Sequence, residues 1–144
     1  MNFDPLLLRN QLCHRFYMVS NAFTRAYRPA LEALDLTYPQ YVVMMALWEK
    51  DGITVKDLLN VTQIDGGAMS LMLKKLAQKE LIVLSPSEED KRVKHIVLTD
   101  KAQKLKEHAV EVPNSLKCKL NHMSPSELSE LMTLLDKLQQ GIEP

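Results

Sequence analysis

The stretch from Thr54 to Thr99 leaves this chain little freedom in what it can fold into. Thr54-Val-Lys-Asp-Leu-Leu-Asn-Val61 reads as a short helix, Thr62-Gln-Ile64 as a turn, and Asp65 to Lys79 as a second, longer helix. In that second helix Met69, Met72, Leu73 and Leu76 recur at i, i+3, i+4 and i+7, which makes one apolar stripe. The opposite side, Gly67, Ser70, Leu71, Lys74 and Gln78, is small and polar near its start and basic further on. Asp65 stands where its carboxylate can accept a backbone N–H and cap the helix. A hairpin follows at once: the β-branched and apolar run Leu81-Ile-Val-Leu-Ser85, the polar turn Pro86 to Arg92, and the alternating run Val93 to Thr99.

Helix, turn, helix and hairpin in this order are a winged helix-turn-helix, so the fold class is mainly α with a small β wing. A recognition helix whose first half is small can bring its backbone close to base edges in a major groove. The face expected to meet DNA is Gly67, Ala68, Ser70, Leu71, Lys74 and Lys75. A wing bearing Lys91, Arg92 and Lys94 can set a cation beside phosphates or in a narrow minor groove, and Asp90 is near enough to Arg92 to orient its guanidinium. Each piece alone is commonplace, because a Leu/Met stripe is usually core and a basic turn is usually solvated surface. Order and close spacing carry the reading.

Composition does not help it. The 144 residues hold 18 Lys+Arg and 18 Asp+Glu, a formal net charge of zero, without the basic excess that marks many nucleic-acid binders. At 46% apolar residues the chain can bury a real core. It has no apolar run long enough for a membrane span, and Met1-Asn-Phe-Asp-Pro5 lacks the basic start of a secretory signal, so a cytoplasmic location is expected. Two cysteines, Cys13 and Cys118, are too few for a disulfide framework and have no neighbours at metal-ligand spacing, so no metal or cofactor is expected.

Before and after the helix-turn-helix lie long amphipathic stretches. Asp4-Pro5 is a helix opening, and the helix it predicts carries Leu8, Leu12, Phe16, Phe23, Tyr27, Leu31 and Leu34 on one stripe, with a kink or split at Pro29. A second helix opens at Thr37-Tyr-Pro39 and runs to Glu49 with little polar face, so it belongs near the centre. After the wing, a helix from Asp100 to Val112 is expected to bend at Pro113 and resume to Met123. Ser124-Pro-Ser-Glu127 is a capping box that opens a last helix with Leu128, Leu131, Leu134, Leu135 and Leu138 on one face. The terminal stripes are more than a small winged-helix core can cover, and their expected cover is the same stripe on a second copy. The whole chain, 1–144, reads as one domain with a DNA-binding part near 52–99 and dimerisation parts near 5–35 and 100–140.

The segment Ser87 to Thr99, with Asp90-x-Arg92 followed by Leu98-Thr99, resembles the wing signature of the MarR family, the multiple antibiotic resistance regulators. The resemblance runs from about Leu6 to Leu138. Asn10-Gln-Leu-Cys13, Ala26-Tyr-Arg-Pro29, Leu36-Thr-Tyr-Pro-Gln-Tyr41 and Leu47-Trp-Glu49 are similar to its organic hydroperoxide sensing branch. The resemblance implies a homodimer, held by its terminal helices, that binds a pseudo-palindromic duplex and is released from it when organic hydroperoxide oxidises one cysteine. The recognition helix departs from the family's pattern: Gly66, Gly67, Ala68 and Leu71 stand where relatives carry Asp-Ser/Thr-Gly-Thr-Leu-Ser/Thr-Pro, so hydroxyls are missing and glycine loosens the first turn.

Cys13 decides between a generic regulator and a sensor. In a helix that starts at Asp4 it would lie more than about two turns inside, beyond the reach of the helix dipole, and its activation would have to come from neighbours. Tyr17 is one turn away, whereas Tyr27, 14 residues on, is about 21 Å along the same helix and cannot touch it. The resemblance resolves this across the dimer: Cys13 is implied to be the peroxidatic thiol, hydrogen-bonded by Tyr27 and Tyr38 of the partner, in a lining of Phe16, Phe23, Met44 and Trp48. It also makes Cys118, which lies off its helix's buried face, the candidate resolving cysteine. Without the resemblance a lone cysteine reads as a small buried hydrophobe and the tyrosines as amphipathic packing. Three other readings remain: a regulator of the same family that answers a phenolic ligand or another oxidant, a helical scaffold without DNA contacts, and a thiol peroxidase. The last is disfavoured by the lack of a thioredoxin-like βαβ pattern.

Overall fold

The computed structural model describes residues 1–144. Two single 3₁₀ turns, Asp4–Leu6 and Leu8–Asn10, lead into α1 (Leu12–Ala33), followed by α2 (Tyr38–Glu49), α3 (Val55–Thr62) and α4 (Gly66–Gln78). The hairpin β1 (Ile82–Pro86) and β2 (Lys94–Leu98) comes next, then α5 (Asp100–Ala109), α6 (Glu111–Lys117) and α7 (Pro125–Ile142).

The expected helix starts are set by side-chain oxygens in four places. Thr54, Asp65 and Thr99 accept the first free backbone N–H groups of α3, α4 and α5, and Ser124 forms a reciprocal capping box with Glu127. A second capping box, Thr37 with Gln40, opens α2. The strands pair antiparallel in the register Ile82↔Leu98, Val83↔Val97, Leu84↔Ile96. That register turns Ile82, Ile96 and Leu98 inward and leaves Val83 and Val97 in solvent.

One apolar core joins the end of α1 (Leu31), α2 (Val43, Met44, Leu47), α3 (Leu58), α4 (Met69, Leu73, Leu76), the hairpin and α5–α6 (Ala102, Ala109, Val112). As its sequence predicts, α2 runs through the middle of it, and Trp48 is pinned there by its indole N–H donating to the Ala102 carbonyl at 3.1 Å. The segment before α3 also joins the hairpin. Ile96 N–H donates to the Ile53 carbonyl at 2.9 Å, Gly52 N–H to the Ile96 carbonyl at 3.0 Å, and Leu98 N–H to the Asp51 carboxylate at 2.9 Å. Gly52 turns this corner at a φ of 72°, a conformation that costs glycine little.

Four expectations need correction. The first helix does not start at Asp4, whose side chain caps nothing; α1 begins at Leu12, after extended residues at Leu7 and Gln11. The carbonyls a helix would use are taken by side chains: Gln11 Nε2 donates to the Pro5 and Leu7 carbonyls, Asn10 Nδ2 to Asp4, and the Arg15 guanidinium to Arg9 and Gln11. Nor does Pro29 split α1, which runs unbroken to Ala33 while Leu31 anchors its last turn in the core. The later break falls at Val110 rather than at Pro113 itself, because the missing proline N–H is the one that would have bonded Ala109, where α5 ends. Helix α6 stops at Lys117 instead of continuing to Met123.

Much apolar surface stays outside this core. On α1, Leu12, Phe16 and Phe23 are exposed, as are Leu131, Leu134 and Leu135 on α7, a helix with no buried residue. No helix is long and apolar enough to cross a membrane.

Candidate DNA-binding surface and thiol site

The α4 stripe Met69, Leu73 and Leu76 is fully committed to the core, and this fixes which side of the helix is free. Gly67, Ala68, Ser70, Leu71, Lys74 and Lys75 are all exposed, as the sequence reading requires of a surface that meets another molecule. The Asp65 carboxylate accepts from the Gly67 and Ala68 N–H groups at 3.1 and 3.3 Å, and Ser70 Oγ donates back to the Gly66 carbonyl at 3.2 Å. Caps and back-bonds thus use the Ser70 hydroxyl hydrogen and one oxygen of Asp65, and the cations stand one turn further on.

In the wing, Arg92 and Asp90 form a two-pronged pair: Nε donates to Oδ1 and Nη2 to Oδ2, each at 3.2 Å. The Arg92 N–H also donates to Asp90 Oδ1 at 3.0 Å. The Arg92 side chain and then its backbone N–H hold the Asp90 carboxyl below the usual carboxylate range. The guanidinium is oriented yet 92% exposed, so one edge is tied down and the rest faces outward. Between wing and α3 lies an open cleft of about 470 Å³, lined by Thr54, Val55, Lys56, Arg92, Val93 and Lys94. Lys56 therefore joins the wing cations, which sequence reasoning missed because Lys56 and Arg92 are far apart along the chain and the pairing of Thr54 with His95 that brings them together is tertiary.

The thiol residues lie in two groups. Cys13 is exposed and, because α1 starts at Leu12, it sits in the first turn of that helix rather than deep inside it. The positive end of the helix is within its reach after all. Tyr17 is exposed and stacks on His14, with ring centroids 6.3 Å apart. At the other end of α1, Tyr27 lies against Tyr38 at 5.5 Å and Tyr41 at 6.4 Å, with Phe23 at 6.2 Å on its other side. Burial, and then the neighbouring Tyr38 phenol, push the Tyr27 hydroxyl above its ordinary pKa; burial and then Tyr27 and Tyr38 do the same for Tyr41. Both phenols stay protonated and able to donate. Tyr41 is the member that spacing did not reveal, because it faces the core and reads as packing.

Cys118 is the exposed C-cap of α6, off the buried face formed by Val112 and Leu116, as expected. The expected lining is only half available. Phe16 and Phe23 are exposed, but Met44 is 0% exposed within the core and Trp48 packs against it, so neither of these forms a free wall.

Comparison with known proteins agrees with this architecture. The model of the MarR family matches residues 36–94. The chain is 40% identical over 142 residues to the organic hydroperoxide resistance transcriptional regulator of Bacillus subtilis (strain 168), covering 96% of each. Among solved structures it is similar to reduced AbfR bound to DNA, with a TM-score of 0.82, 28% identity, and coverage of 99% of this chain and 97% of that one. It is equally similar to overoxidized AbfR bound to DNA, with a TM-score of 0.81, 28% identity and 99% of each chain covered. AbfR is a Staphylococcus epidermidis protein.

Proposed function

The chain belongs to the MarR family, and on that premise we propose that it is a homodimeric, DNA-binding transcriptional repressor that leaves its operator when an organic hydroperoxide oxidises Cys13. Family membership makes it a transcriptional regulator. The redox trigger is the finer step, and it is supported by one geometric relationship. Ser20, exposed on α1, stands midway in sequence between the first-turn thiol Cys13 and Tyr27 of the phenol cluster. A two-fold axis crossing two antiparallel α1 helices near Ser20 sets Cys13 of one chain opposite Tyr27 of the other, about 10 Å from the axis on either side. The same pairing covers the apolar residues that α1 leaves in water, Phe16 and Phe23 among them. Residues near 5–35 and 100–140 then form the dimerisation part and those near 52–99 the DNA-binding part.

The chemistry follows from the groups available. The Cys13 thiolate attacks one peroxide oxygen, an S–O bond forms as the O–O bond breaks, and the alkoxide leaves as alcohol after taking a proton, so Cys13 becomes a sulfenic acid. Attack by the Cys118 thiol of the partner then forms an S–S bond and releases water. The Tyr27 and Tyr38 hydroxyls of the partner donate to the thiolate, and sulfur oxidation removes those bonds. In DNA, α4 enters the major groove and Arg92 carries the wing to the adjacent backbone.

A gel shift at fixed salt, with the DNA upstream of the chain's own gene and with or without cumene hydroperoxide, tests the proposal on wild type and Cys13→Ser. Wild type should lose its DNA on oxidation and the variant should keep it. An equal response in both would remove Cys13 from the mechanism, and repeated turnover with a thiol reductant but no DNA binding would make the protein a peroxidase.

A further inference from the structure

The only side-chain donor in the first two turns of the recognition helix, the Ser70 hydroxyl, is already spent on the helix's own backbone. Of the exposed residues in the first two turns, Gly66 and Gly67 have no side chain and Ala68 only a methyl group. Ser70 has given its hydroxyl hydrogen to the Gly66 carbonyl at 3.2 Å, and the Asp65 carboxylate is held by two backbone N–H groups. The first side chain with free donors is Lys74, a further turn along. In a groove about 8.5 Å deep the N-terminal part of the helix approaches the bases, while groups further back reach phosphates.

Leu71 remains. It is 56% exposed, off the buried stripe, and shares its face with Ala68 one turn before it and Lys74 and Lys75 after it. An isolated exposed leucine needs no explanation. This one is placed between a glycine-opened first turn and two cations, where charge complementarity favours a polyanion over a second apolar protein face. The apolar group that duplex DNA presents in its major groove is the thymine C5 methyl.

We propose that this chain reads thymine methyl groups through Leu71, with Ala68 beside it, where the first two turns of α4 offer no free side-chain donor to the base edges. This rests on α4 entering the major groove, as in the functional reading above. Glycines at 66 and 67 let the backbone come close enough for a short side chain to touch a methyl; a Cβ on Gly66 would meet no neighbouring atom, so internal packing does not require glycine there, whereas one on Gly67 would stand 3.2 Å from Asp65 Oδ2.

The test replaces thymines within the footprint on the chain's own upstream DNA by 2′-deoxyuridine, which removes only the methyl. Wild-type affinity should fall about fourfold for each contacted methyl, taking one buried carbon at about 0.8 kcal/mol. Leu71→Ala should bind the natural duplex more weakly and lose most of the discrimination against uracil. Binding of the natural duplex with no sensitivity to uracil overturns this proposal and leaves the functional reading intact. Undiminished discrimination in Leu71→Ala also overturns it, since the methyl would then act through DNA shape. A change of oligomeric state in Leu71→Ala without DNA would make the face a protein contact and overturn it too, and no binding of wild type to any duplex would overturn both readings.

Discussion

Tyr38, in the first turn of α2, lies against Tyr27 of α1 with ring centroids 5.5 Å apart and planes inclined by 24°. Burial and the Tyr38 phenol keep the Tyr27 proton in place. Tyr27→Phe and Tyr38→Phe retain both rings and remove only a donor. Each should slow oxidation of Cys13 by cumene hydroperoxide roughly tenfold, the effect of one hydrogen bond to a charged group, with little change in thermal midpoint. Thiol loss followed with time reads this, and unchanged rates would detach the phenols from the sulfur.

The same cluster predicts alkaline behaviour. Tyr27 and Tyr41 have native pKa values raised above the ordinary 10.0. Their contribution to stability is complete below the unfolded value and is lost as pH rises through the native ones. Phenolate absorbance near 295 nm should therefore show these two rings ionising late, with denaturation midpoints falling over the same alkaline interval. Stability independent of pH through that interval would contradict it.

Gln40, 4% exposed, is the one buried polar residue and ties α2 to the end of α4. Its Oε1 accepts from the Thr37 N–H at 3.1 Å and from Lys79 Nζ at 3.4 Å, and Lys79 also donates to the Asp35 carbonyl. Gln40→Leu would leave the Thr37 N–H without its partner and should cost about 1–3 kcal/mol. Lys79→Met removes a donor whose Asp35 partner is exposed, and should cost about 1 kcal/mol or less. Urea denaturation should preserve that order.

Asp90 and Arg92 predict a separation of functions. Arg92→Ala should weaken DNA binding roughly tenfold or more and leave the oxidation rate of Cys13 unaltered. Since the Asp90 carboxyl is held below its ordinary range, its grip on Arg92 is complete above that range and is lost as pH falls through the depressed value. Asp90→Asn should give wing mobility at neutral pH that wild type acquires only in acid, measurable as backbone relaxation of residues 87–93.

Cys118, exposed at the end of α6, should supply the second sulfur of an intersubunit cross-link. A non-reducing gel after peroxide treatment should show a covalent dimer that Cys118→Ser abolishes. Persistence of that band would remove Cys118 from the cycle.

Local rules were enough for a large part of this molecule. Thr37, Thr54, Asp65, Thr99 and Ser124 each bond a backbone N–H within three residues, and the Met69–Leu76 stripe and the alternation of β1 and β2 follow from the pitch of a helix and the pleat of a strand. None of these needs information from elsewhere in the chain. Hence the winged helix-turn-helix, the exposed face of α4 and the Asp90–Arg92 pair could be read directly from residue order.

Other features were decided by competition between distant or alternative partners. Asp4-Pro5 is a sound helix opening, yet Gln11, Asn10 and Arg15 capture the carbonyls that would have continued it, and so Cys13 lies at a helix start. Tyr27, Tyr38 and Tyr41 meet only because α1 and α2 fold back on each other, and Lys56 meets Arg92 only because the chain before α3 pairs with β2. Residue order sets what each segment prefers over one or two turns; which preferences survive, and which side chains share a site, depends on contacts between segments whose path is settled by burial of the common core.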